Sequence, residues 1–278
     1  MKLRYLFLAA VLFAGACSRP SETFSTGIIP VPQHVNWGEG TFRMPRTLTY
    51  VTDLEGQEKA DLAAWMERSV AGRFFPVPFV EALEGDIPAL RLRIADKGAP
   101  ESYRLDVVRD SMTITAPDAA GLFYGLQSLL QLMKPDKRGG WTVPAVTVKD
   151  SPRFGYRGFM IDVSRHFRPK EFVKKQIDAM ARYKLNRLHL HLTDAAGWRI
   201  EIKKYPRLTS FAAWRPEAEW KKWWNTADGR KYCEREDPAA QGGYYTQEDI
   251  RELVRYAAER HITIIPEIEM PAHSEEVL

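Results

Sequence analysis

From Ser151-Pro152 onward the chain alternates strand, helix, strand, helix, strand, and this rhythm limits its fold more than any other feature. RGFMIDV (157–163) and NRLHLHLT (186–193) read as strands, and HITIIPEIEMPAH (261–273) holds a third. Between the first two, RPKEFVKKQIDAMARYK places Val173, Ile177, Met180 and Ala181 on one side of a helix. Thr246 caps TQEDIRELVRYAAERH, where Ile250, Leu253, Val254, Ala257 and Ala258 recur at helical spacing. Strands joined through helices pair in parallel, and parallel sheets are covered by those helices. Such sheets present functional groups at their C-terminal ends. The places to look are therefore Ser164-Arg165-His166, Asp194 to Trp198, and Glu267 to His273.

The preceding region, 28–150, has a different rhythm. RLRIAD, YRLDVV and MTITAP alternate as half-buried strands. Asp118 caps one clear helix, AAGLFYGLQSLLQLM, which Lys134-Pro135 ends. This reads as a small α+β domain whose residue types carry no chemistry. A complete (β/α)₈ barrel takes about 250 residues, and 151–278 offers about half of that. The second unit is thus either a smaller open sheet or the first strands of a barrel cut short.

The N-terminus carries an address. Lys2 and Arg4 precede an apolar run from Leu6 to Phe13, too short to span a bilayer, that ends on Ala14-Gly15-Ala16-Cys17. This reads as a lipoprotein-type signal peptide over 1–17, with Cys17 lipidated and 18–27 a polar tether. The alternative is an ordinary signal peptide with a chance cysteine. Export and anchoring to a bacterial membrane follow as expectations. With Cys17 spent on lipid, no intramolecular disulfide is expected. The net charge of +4 over 278 residues, without a basic stripe, argues against nucleic-acid binding.

The chain has six histidines, and two of them, His189 and His191, share one strand. His-x-His puts both imidazoles on one face and is a metal-ligand spacing. A metal-dependent barrel hydrolase would use this pair with His273 and a carboxylate from Glu267 or Glu269. The pair, however, precedes Asp194 by several residues and reads as lying inside the strand, as a structural stem. Glu267 and Glu269 also share a face, but neighbours on one strand are crowded for flanking a glycosidic bond. Asp194 and His273 end different strands and can meet across the sheet mouth, where an aspartate orients a histidine and favours its charged form.

Four ordered motifs, YRLDVVRDSMTITAPDAAGLFYGLQSLLQL, YRGFMIDVSRHF, NRLHLHLTDAAGWRIEI and GGYYTQEDIRELVRYAAERHITIIPEIEMPAHS, resemble glycoside hydrolase family 20, the β-N-acetylhexosaminidases. Two departures are Ala195-Ala196, where Asp-Gln is frequent, and Ala272, where glycine is usual. The resemblance implies a (β/α)₈ barrel behind the α+β domain and a glycan substrate ending in N-acetylglucosamine or N-acetylgalactosamine. It implies substrate assistance, in which the sugar's acetamido oxygen attacks the anomeric carbon while a glutamic acid protonates the leaving oxygen. No metal or other cofactor is implied. Residue by residue, Arg157 would bind hydroxyls of the terminal sugar, and Asp194 and His273 would form the relay that tunes the acid. The family's Asp-Glu pair is missing, since no aspartate here is followed by glutamate. The chain alone is therefore expected to be inactive, a truncated enzyme or a glycan-binding lipoprotein. Trp214, Trp220, Trp223 and Trp224 cluster in the excursion from Ala212 to Gly243, either as a lid or subsite or as packing for a short helix on the rim.

Overall fold

Alternating burial in Leu90–Ile94, Tyr103–Val107 and Met112–Ala116 seats one face of each segment on a common core, as a half-buried sheet requires. The computed structural model describes residues 27–71, 75–225 and 231–277. The signal peptide, Cys17 and all but the last residue of the tether lie outside them. The first sheet contains β1 (His34–Arg43), β2 (Leu48–Thr52), β3 (Phe79–Glu81), β4 (Leu90–Ile94), β5 (Tyr103–Val107), β6 (Met112–Ala116), β7 (Lys134–Pro135) and β8 (Trp141–Asp150). Its order is β1-β8-β5-β6-β4-β2-β3, with β7 paired to β8.

Two helices accompany this sheet, α1 (Gly56–Ala71) and α2 (Ala119–Leu132). The second is the expected one, and the Asp118 carboxylate accepts from Gly121 N at 2.7 Å. It is buried nearly all round because it lies between two partners, the sheet and the next unit's first helix. The first helix was not expected. Its buried face, Leu62, Trp65, Met66 and Ser69, has helical spacing but is diluted by charge.

The second unit opens with β9 (Gly158–Asp162), α3 (Lys170–Arg182) and β10 (Arg187–His191). A hairpin of β11 (Thr193–Asp194) and β12 (Gly197–Trp198) follows, then α4 (Arg207–Ser210), β13 (Trp214–Arg215), α5 (Trp220–Trp224) and β14 (Gln241–Gly242). Then come α6 (Gln247–Ala258) and β15 (Thr263–Glu267). β9 and β15 flank β10 in a parallel three-stranded sheet. α6 begins with the expected cap: Thr246 and Asp249 form a reciprocal capping box. α3 and α6 pack together and are tied by Lys170 to Asp249 and Glu252, both at 2.7 Å.

A polar seam joins the two units at the N-terminal end of the parallel strands. Lys184 Nζ reaches Tyr103 Oη at 2.8 Å and Asp150 Oδ2 at 3.1 Å. Burial lowers the pKa of that lysine, while Asp150 pulls it back up. Asn186 Nδ2 donates to Glu101 at 3.0 Å, and Gln131 Nε2 donates to the Ile29 and Arg182 carbonyls. The seam fixes the bottom of the sheet, so its open top faces away from the first unit.

Candidate active site

Register builds the site. His191 pairs with Asp162 on one side and Glu267 on the other, so one acid, one histidine and one acid end three parallel strands in a row. His191 Nδ1 lies 2.5 Å from Glu267 Oε2, and His189 Nε2 lies 2.7 Å from the same oxygen. The two histidines therefore clasp Glu267. Both histidines lie within β10, as expected, His191 is buried, and their partners are neighbouring acids. β10 stops at His191, and Asp194 belongs to the hairpin that folds back beyond it. His191 is at the mouth, and its Nε2 is 3.1 Å from Asp194 Oδ2.

Asp194 is the centre of the arrangement. It is 1% exposed, its Oδ1 accepts from Ala195 N at 2.8 Å, and Oδ2 meets Arg165 Nη2 at 2.5 Å. Arg165 Nη1 also pairs with Asp162 Oδ2 at 2.7 Å and sits 3.1 Å from His191 Nε2. His273 reaches Asp194 Oδ1 through Nδ1 at 3.4 Å, while 58% of its side chain stays open to solvent. His273 adopts φ +56, a conformation that non-glycine residues seldom take. The structure thus brings together the expected pair, Asp194 and His273.

Burial disfavours the charged form of His191, but hydrogen bonds to Glu267 and Asp194 outweigh it and raise the pKa above the ordinary imidazole value. Burial also pushes Glu267 upward, but the bond from His191 prevails and its pKa falls. The pair is an imidazolium-carboxylate contact at mildly acidic pH. His191, Glu267 and Glu269 bring ligand atoms within 4.8 Å of one another. A metal ion there would face the Arg165 guanidinium, and His273 turns to Asp194 instead of joining this cluster. The proposed His189-His191-His273 triad is therefore not the grouping that the geometry makes.

Arg157 is placed elsewhere. It precedes β9, at the N-terminal end of the sheet, and its guanidinium is occupied by Glu101 (2.7 Å), Tyr124 Oη (3.1 Å) and the Phe154 and Lys184 carbonyls. A five-residue strand separates that end from the mouth by roughly 16 Å. Arg157 serves the seam, and the arginine beside Asp194 is Arg165, five residues of strand and a turn later.

Loop order around the mouth comes from Arg199. It is almost wholly buried and has carbonyls for partners: Ser164 (2.7 Å), Ala213 (2.5 Å), Gly243 (3.1 Å), Val163 (3.1 Å) and Ala196 (3.2 Å). Burial lowers its pKa to about 9, which leaves it charged at neutral pH. Ser164 Oγ adds bonds to the Asp194 and Gly197 carbonyls. Ala195 and Ala196 are buried beneath Trp223 and Tyr232, so the space around the two small residues is filled by the tryptophan-rich excursion. The roles of Arg199 and Ser164 were not foreseen, because each depends on carbonyls distant in sequence.

The profile described as "Glycosyl hydrolase family 20, catalytic domain" matches residues 154–278, and "Glycosyl hydrolase family 20, domain 2" matches 25–151. The chain belongs to glycosyl hydrolase family 20. A beta-hexosaminidase of Porphyromonas gingivalis is 37% identical over 96% of this chain and 34% of its own length. One of Vibrio furnissii is 37% identical over 91% of this chain and 39% of its own. Among solved structures, the family 20 exo-β-N-acetylglucosaminidase of Vibrio harveyi, in complex with N-acetylglucosamine, aligns with a TM-score of 0.74 at 31% identity. That alignment covers 90% of this chain and 37% of the other. The Streptomyces plicatus N-acetyl-β-hexosaminidase aligns with a TM-score of 0.70 at 37% identity, over 91% and 48%. The chain thus spans between a third and two-fifths of the curated family 20 relatives named here. Its three parallel strands with α3 and α6 are the first part of the family's barrel, behind the family's α+β domain.

Proposed function

We propose that this chain carries the sugar-holding and relay part of a β-N-acetylhexosaminidase, which removes terminal N-acetylhexosamine from β-linked glycans with retention and substrate assistance. The observation behind this reading is buried Asp194 at the sheet mouth, gripping Arg165 on one carboxylate oxygen and His273 on the other. In this reading Arg165 donates to hydroxyls of the terminal sugar, and Asp194 and Asp162 hold its fork in place. His273, oriented by Asp194, faces solvent where a general acid would stand and passes charge between the two. The acetamido oxygen of the substrate forms the bond to the anomeric carbon, the leaving oxygen takes the acid's proton, and water later opens the oxazolinium ring.

The Asp-Glu pair that would orient the acetamide and supply the proton is not in these 278 residues. The expected outcome is that purified 18–278 leaves a chromogenic N-acetyl-β-glucosaminide intact, whereas a longer product of the same reading frame cleaves it. Turnover by 18–278 at an enzyme-like rate would overturn the missing-acid argument and turn attention to Glu267 and Glu269. Binding of N-acetylglucosamine without turnover by either product would favour the non-catalytic glycan binder. Export and a lipid on Cys17 belong to the same proposal, and intact mass after membrane extraction tests them.

A further inference from the structure

The tryptophan-rich excursion is only partly explained by packing. Trp223 is the anchor: it is fully buried against Ala195 and Ala196, and its Nε1 donates to the Lys231 carbonyl at 2.7 Å. Trp220 stacks on it at 5.2 Å and 28°, and Trp224 lies 5.5 Å from Trp220 and 6.3 Å from Trp223. Yet Trp220 is 36% exposed and Trp224 53% exposed. One buried indole suffices to seat so short a helix, so the two open rings are not accounted for by the fold.

Their place says what would cover them. Trp223 packs on the two residues that directly follow Asp194. Lys231 Nζ lies 5.9 Å from the Trp224 ring centre and 2.6 Å from Glu275 Oε2, two residues past His273. Trp220 and Trp224 are thus carried on the indole that packs beside Asp194, and an ammonium with its carboxylate partner lies at the margin of Trp224. An apolar ring face with polar groups at its margin matches a pyranose, which presents C–H bonds on one face and hydroxyls around its edge. An apolar helix would instead meet Lys221, Lys222 and Glu219 on the same short element.

We propose that Trp224 and Trp220 form a stacking subsite for a sugar beyond the terminal residue, so that α5 favours oligomeric β-linked N-acetylhexosamine chains over single-sugar glycosides. This rests on the hexosaminidase reading. Trp223 holds the platform, and Lys231 and Glu275 offer hydrogen bonds to hydroxyls of the stacked ring.

The test is calorimetric titration of the full chain with N-acetylglucosamine and with its β-1,4-linked tetramer, in wild type, Trp224→Ala and Trp224→Tyr. The expected result is a tetramer affinity about three- to tenfold weaker in Trp224→Ala, with Trp224→Tyr largely restored and the monomer unaffected. Because Trp224 is half exposed, circular dichroism and the melting midpoint of Trp224→Ala should match wild type. Equal tetramer affinity in wild type and Trp224→Ala overturns the subsite, as does absence of tetramer binding. A Trp224-dependent dimer in sedimentation also overturns it, assigning the indoles to a second copy. Arg165→Ala separates the two readings. Monomer binding that ignores this substitution counts against the terminal-sugar site, whatever Trp224 does to the tetramer.

Discussion

At the scale of single residues, two arginines decide how the site is read. Arg157→Ala should break a largely buried ion pair with Glu101 and cost stability, about 3 kcal/mol, while leaving glycan affinity alone. Arg165→Ala in an active, longer product should lower kcat/KM about 10²-fold and also cost stability, about 3 kcal/mol, since buried Asp194 loses its guanidinium partner. Thermal melts and steady-state kinetics on both variants check the pair, and the reverse kinetic pattern would restore Arg157 to the sugar. Glu276 gives a third prediction. Burial, with the Asp194 carboxylate adding to it, raises its pKa from 4.5 to about 7, and neither carboxylate oxygen has a partner side chain. A raised acid binds more protons folded than unfolded, so it subtracts stability progressively as pH rises from about 4.5 to about 7, then no further. Glu276→Gln should therefore melt progressively higher than wild type from about pH 5 to about pH 8, by at most about 3 kcal/mol. A pH-independent difference would show that Glu276 ionises normally. Asp194 was legible in the sequence because a strand-end acid after an alternating run has few structural uses. Arg165 was legible by position along its strand, whereas the family resemblance implied Arg157 instead. Glu276 was not legible, since the charged groups that act on it, Asp194 and Arg199, lie some eighty residues earlier.

At the scale of elements, parallel pairing was readable because strand and helix periods differ and crossover demands a helix. The order β15-β10-β9 was not, because nothing local says which strand sits between the others. α1 escaped notice for a related reason: four buried positions among many charges give a weak stripe, and the sheet supplies the rest of its stability. The approach of α2 to the sheet offers a test of how tightly these elements are set. Alanine normally stabilises a helix over glycine by about 1 kcal/mol. At Gly121, however, a Cβ would lie 2.2 Å from the Ser102 carbonyl oxygen and 2.8 Å from Ala116 Cβ. Backbone cannot yield as a side chain end does, so Gly121→Ala should destabilise by several kcal/mol in spite of propensity, on the order of 3. Denaturant titration checks the sign, and a stabilised variant would mean that helix and sheet are looser than described.

At the scale of the whole molecule, the two units are held unequally. The first sheet is long, backed by α1 and α2, and tied to the second unit through Lys184, Arg157 and Asn186. The parallel sheet has three strands among the described residues, and β9 and β15 each leave one edge without a neighbour. Phe159 and Met160 stand 44% and 51% exposed on β9, and Met270 stands open just past β15. Unpaired backbone beside apolar side chains is a template for pairing with another chain. Residues 27–277, prepared alone, should therefore self-associate at roughly 10–100 μM, while keeping the far-ultraviolet signal of folded sheet and helix. A charge on the open edge should interfere with that pairing without entering the core, because Met160 is half in solvent already. Met160→Lys should shift sedimentation toward monomer and leave the melting midpoint nearly unchanged. If the wild-type polypeptide sediments as a monomer across that range, the open edges of β9 and β15 do not act as a template for pairing. If Met160→Lys associates as strongly as wild type, the contact lies elsewhere, and the exposed indoles of α5 become the next surface to alter.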